Sequence, residues 1–84
     1  MKLWLISQTE NTGYDVYDSA VVAAQTEEEA RRLHPDNREI PDIEGRFTGT
    51  DWCSRVDLVN VEFIGDASPE ITDQKVICAS FNAG

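Results

Sequence analysis

The apolar positions fall into strand-like runs and one helical one. From Lys2 to Gln8, Leu3 and Leu5 point one way while Trp4 and Ile6 point the other, which predicts a central strand covered on both faces. A second run, Tyr14 to Ala24, is rich in Tyr and Val, residues that suit a pleated, half-buried surface. With a period of two, Val16, Ala20, Val22 and Ala24 share one face, and Tyr17, Val21 and Ala23 share the other. Both faces are apolar between Ala20 and Ala24, so that half is expected to be covered on both sides, with the Asp15 and Asp18 end wetter. Glu10-Asn11-Thr12-Gly13 is turn chemistry and predicts a hairpin between the two strands.

Thr26 breaks the alternation. Thr26 and Glu29 have the spacing of a capping box, and Glu27 to Glu29 place negative charge in a first helical turn, where the helix dipole favours it. Pro35 stops the helix because the residue before a proline avoids the α region. A helix of two to three turns is marginal alone, so Ala30, Leu33 and His34 are expected to press it onto the sheet. Residues 35–51 are the least regular stretch; Phe47 and Trp52-Cys53 are expected to tuck under the sheet. Arg55 to Gly65 predicts a third strand with Val59, Val61 and Phe63 facing the core. After a polar turn containing Pro69, Lys75 to Phe81 predicts a fourth. The order ββαββ suits one α+β domain over residues 1–84: a four-stranded, mainly antiparallel sheet with one short helix packed on one face. A β-grasp arrangement, with parallel terminal strands in the middle, is the main competitor.

Charge narrows the function classes. Sixteen acids against seven bases leave the 84-residue chain at −9. Phosphate binding needs Lys and Arg, so direct binding to nucleic acid or an anionic membrane is disfavoured and a basic protein partner is favoured. The apolar run Leu3 to Ile6 is too short for a signal h-region, and no run could span a bilayer, which predicts a cytoplasmic protein. The charge is uneven: residues 26–45 sum to −4, 46–60 to zero and 61–84 to −3.

Candidate chemistry is sparse, and no catalytic residue, cofactor or metal site is predicted. His34 reads as a helix-terminal residue near the last carbonyls. The serines sit in no nucleophile elbow, and Gly45 and Gly49 lack the Lys-Ser/Thr of a phosphate loop. Asp15 and Asp18 could meet a cation with Asp57 or Asp73, but no twelve-residue calcium loop is present. Cys53 and Cys78 form no metal motif and read as small buried hydrophobes; a disulfide would require their strands to meet. Trp52 and Tyr14 are the aromatic side chains suited to binding, with core packing favoured for Trp52. The acids of the helix and following loop suggest a belt that imitates a phosphate backbone. Its candidate partner-binding residues are Asp36, Glu39, Asp42, Glu44, Asp51 and Trp52.

The segments W-L-I-S-Q, G-Y-D-V-Y-D-S-A-V-V-A-A, E-E-E-A-R-R-L-H-P and the closing V-I-C-A-S-F-N-A-G resemble a group of small phage and prophage proteins. The resemblance covers both ends and the central junction, and omits residues 35–51. It carries no catalytic motif and implies a phage-derived accessory protein, similar in kind to anti-CRISPR and other anti-defence inhibitors. The expected activity is binding to a basic surface of a host protein or ribonucleoprotein in the host cytoplasm. The alternative is a phage structural accessory acting by self-association, with a homodimer as its simplest form.

Overall fold

The computed structural model describes residues 1–36 and 40–83. Four strands, β1 (Lys2–Ser7), β2 (Val16–Ala24), β3 (Asn60–Asp66) and β4 (Lys75–Asn82), form one sheet in the order β3-β1-β2-β4. Every neighbouring pair is antiparallel. β1 is central, as its two apolar faces predict, and the terminal strands are not adjacent, which excludes the β-grasp competitor.

β2 begins at Val16, two residues later than the predicted run, because Asp15 adopts a left-handed backbone (φ 59°) and Tyr14 swings out to 76 % exposure. Each outer strand carries one extra residue against its inner neighbour. Ile64 interrupts the register of β3 between Phe63 and Gly65, and Ile77 interrupts that of β4 between Val76 and Cys78. Asp18 does the same in β2.

Helix α1 (Glu27–Arg31) is shorter than its sequence pattern suggests. Its start is the capping box: Thr26 Oγ1 accepts from the Glu29 amide at 3.2 Å, and Glu29 Oε1 accepts from the Thr26 amide at 3.2 Å. At its end, Arg31 donates to the carbonyl of Val59, tying the helix to the approach of β3. The chain then leaves helical geometry so that His34 can enter the core.

One face of the sheet is covered. Trp4, Ile6, Ala20, Val22 and Ala24 pack there with Ala30 of α1 and with Phe47, Trp52, Cys53 and Val59 from the long connection. Phe47 and Trp52-Cys53 thus lie under the sheet as the sequence indicates. Residues 55–58 form a bridge and a 3-10 turn (Val56–Leu58) in place of the predicted start of β3. Phe63 lies on the covered face, edge-on to Trp4 at 5.5 Å, but its outer-strand position leaves it 54 % exposed.

The other face bears Leu3, Leu5, Val21 and Ala23, and α1 and the Phe47–Trp52 connection do not reach it. Ala23 is nevertheless fully enclosed, while Leu3, Leu5 and Val21 stay partly exposed, so the expected cover on both sides holds for the end of β2 and only in part along β1.

Candidate functional site

The acids predicted to form a docking belt are largely occupied within the protein. Asp42 organises a tight turn. Its Oδ1 accepts from the Arg46 and Glu44 amides, both at 2.9 Å, and its Oδ2 pairs with Arg46 Nε at 3.1 Å. The Arg46 amide, opposed by desolvation and helped by the guanidinium and the Glu44 amide, holds the Asp42 carboxyl below its ordinary value. Glu44 lies 3.5 Å from Arg46 Nη2. Asp36 and Asp51 both engage His34. Trp52 is only 2 % exposed and belongs to the core, so it presents no surface to a partner; its indole Nε1 finds no hydrogen-bond partner among the described residues. Glu39 lies outside the described residues.

His34 is the residue whose role the sequence conceals. Its position in the chain points to the last helical carbonyls, yet its side chain is fully enclosed, edge-on to Tyr17 and Phe47 at 5.9 Å and Trp52 at 6.3 Å. Nε2 sits 2.9 Å from Asp51 Oδ1, while Nδ1 sits 2.9 Å from Asp36 Oδ1 and 3.1 Å from the Asp36 amide. With its proton on Nε2, the ring donates to Asp51 and accepts from the Asp36 N–H; a second proton on Nδ1 would turn to the Asp36 carboxylate. His34, Asp36 and Asp51 are metal-ligand types. One ligand atom from each lies within 4.8 Å of the others, a spacing that could hold an ion, and each carboxylate also faces a different ring nitrogen. The geometry is that of a hydrogen-bonded clamp joining the end of α1 to the loop before Trp52.

A depression of about 440 Å³ adjoins this clamp between Leu33 and Pro41. Its described lining includes Glu29, Arg32 and Gln74 but no hydroxyl, thiol or lysine, so nothing there pairs a nucleophile with a base. The two thiols are separated by the sheet: Cys53 is buried on the covered side, and Cys78 is exposed on β4. Burial pushes the Cys53 thiol up to about 11, with backbone hydrogen bonding from Arg55 opposing it.

A second site assembles at the end of the sheet where the β1–β2 turn meets the connection and the last strand. Gln8, buried at 4 %, closes the turn: its Oε1 accepts from the Asn11 amide at 2.8 Å, and its Nε2 donates to the carbonyls of Asn11 (2.7 Å) and Tyr17 (3.0 Å). Asn11 Nδ2 reaches the Thr50 carbonyl at 2.8 Å, and Glu10 accepts from the amide and hydroxyl of Ser54. The Asp15 amide donates to the Asn82 carbonyl at 2.6 Å, and Asn82 Nδ2 returns a bond to Gly13. These ties place Glu10, Asp15 and Asp18 at the same end of the sheet as the exposed Tyr14. Residues 8–18, 50–54 and 80–83, which meet at this end, contain no Lys or Arg. The sequence signal lies in that cation-free spacing, but only the fold shows that the three stretches meet.

Comparison with protein-family models, with curated proteins and with solved structures found no match. No helix among the described residues is long and apolar enough to cross a membrane.

Proposed function

We propose that the chain works by docking this cation-free end onto a basic surface of another protein, with Tyr14 as aromatic anchor and Glu10, Asp15 and Asp18 as the complementary charge. The observation that supports the reading most is Tyr14, 76 % exposed at the end of the sheet that also carries Glu10, Asp15 and Asp18, none of which pairs with Lys or Arg among the described residues. Exposed aromatic side chains are favoured binding anchors, and complementary potentials steer association. A non-glycine residue in left-handed backbone is also a feature that gathers at binding sites, and Asp15 is held that way by its bond to Asn82.

The resemblance to phage proteins suggests the target class: the nucleic-acid-binding surface of a host defence complex, with a CRISPR ribonucleoprotein as the leading case. The acids would occupy the positions of phosphates, blocking the complex without chemistry. The test is binding of the purified protein to such complexes, scored by affinity and its salt dependence. Tyr14→Ala combined with Asp18→Lys should weaken binding at least tenfold and flatten the salt slope. Glu44→Lys, next to Arg46 on the loop, should change neither. Unaltered affinity in the Tyr14/Asp18 variant, or loss in the Glu44 variant, would return the docking surface to the loop.

A further inference from the structure

Cross-strand partners share a face of a sheet. On the uncovered face the register builds three rows: Gly65–Leu3–Ala23–Lys75, Glu62–Leu5–Val21–Cys78 and Asn60–Ser7–Ser19–Ser80. The middle of this surface is aliphatic, with Leu3, Leu5 and Val21 partly exposed and Ala23 enclosed. The rim holds one acid, Glu62 on β3, and one base, Lys75 on β4. In a chain of net charge −9, this face sums to zero.

We infer that the uncovered face is an interface between two copies of this chain. Two identical acidic proteins repel wherever their excess charge meets, and a basic partner would gain nothing from a neutral face. A second copy meets neither objection here. The arrangement of charge is also self-complementary. A two-fold axis along the strands lays β3 of one copy over β4 of the other, so each Glu62 faces the strand that carries Lys75. The contact is then isologous and formed twice, and aligned sheets packed face to face are a standard solution for such surfaces. Four strands about 4.8 Å apart and six residues at about 3.3 Å each give a face of roughly 20 by 20 Å. Two such faces bury about 800 Å², the size of a weak, transient interface. The dimer is therefore expected to dissociate in the micromolar range.

Sedimentation equilibrium over a wide concentration range tests this, with a cross-link to fix the geometry. The wild-type mass should rise from one chain to two. Val21→Lys, in the middle of the face, should raise the dissociation constant at least tenfold while circular dichroism shows the same fold. Glu62→Cys lies in the same row as Cys78, so a short bis-maleimide should join the introduced thiol of one copy to Cys78 of the other and yield a covalent dimer. The Glu62→Cys, Cys78→Ser double variant should yield less, with buried Cys53 silent. A monomer at every concentration, a dimer indifferent to Val21→Lys, or a dimer with no Glu62→Cys cross-link would each overturn the inference. Tyr14→Ala with Asp18→Lys should leave the dimer intact, so failure of the docking reading and failure of this one are distinguishable.

Discussion

Replacing His34 gives the sharpest energetic test of the core. The imidazole is enclosed by three aromatic rings and bonds Asp51 at 2.9 Å. Truncating a buried ring of this size to alanine costs about 3 kcal/mol in lost packing and cavity. Losing the bond to a partly exposed carboxylate adds about 1 kcal/mol, less than the roughly 1.5–3 kcal/mol of a charged partner away from solvent, because water can reach Asp51. His34→Ala should therefore lose about 4 kcal/mol, most of the stability of a domain of this size. His34→Phe keeps the ring and drops the polar contacts, so its loss should be nearer to about 1.5 kcal/mol. Urea unfolding followed by the fluorescence of Trp4 and Trp52 measures both; at about 1 kcal/mol per molar of urea, the midpoints fall by roughly 4 and 1.5 M. Asp51→Ala in the His34→Phe background should cost less than in the wild type, since their shared bond is already gone. A Phe variant as unstable as the Ala variant would refute the view that ring packing dominates. An Ala variant within about 1 kcal/mol of wild type would refute the clamp altogether.

Gly45→Ala should destabilise by about 2 kcal/mol in the same assay, because Gly45 has φ +80° and a Cβ there would sit 2.9 Å from Val56 Cγ2. Thr26→Ala should cost about 1 kcal/mol by removing the capping box, with Glu29→Gln milder. In the native protein a thiol reagent should label Cys78 and leave Cys53 untouched until urea opens the core; equal labelling of both would contradict the burial of Cys53. The same thiol sets a pH dependence. Its native value is raised from 9.0 to about 11, so above pH 9 the unfolded chain releases a proton that the native chain retains. Its contribution is whole below pH 9 and falls as pH rises towards 11. Cys53→Ala should flatten the alkaline decline in the urea midpoint.

The parts of the fold governed by local chemistry are legible in the sequence. Thr26 and Glu29 announce the helix start, and alternation places all four strands. Non-local choices are not legible. The helix pattern runs on to His34, but α1 ends at Arg31 because satisfying His34 requires Asp51, seventeen residues away, and no local rule links the two. Phe63 has the alternation of a core residue, yet whether it is buried depends on β3 being an outer strand, which is a matter of topology. The acidic loop reads as a free belt because sequence counts charges without pairing them; Arg46 and His34 account for most of it. Of the two aromatic candidates, the irregular stretch draws Trp52 inward, while the left-handed Asp15 turns Tyr14 outward.

The extra isoleucines at Ile64 and Ile77 have a consequence for how the molecule survives at high concentration. An outer strand with an unbroken line of amides is a template on which another extended chain can grow. Here both flanks are kinked by one residue at nearly the same height, so an incoming segment loses its match partway along. Fibrillar stacking is thus checked on the left and on the right by the same device, even though Ile, Val and Phe make each flank greasy enough to invite it.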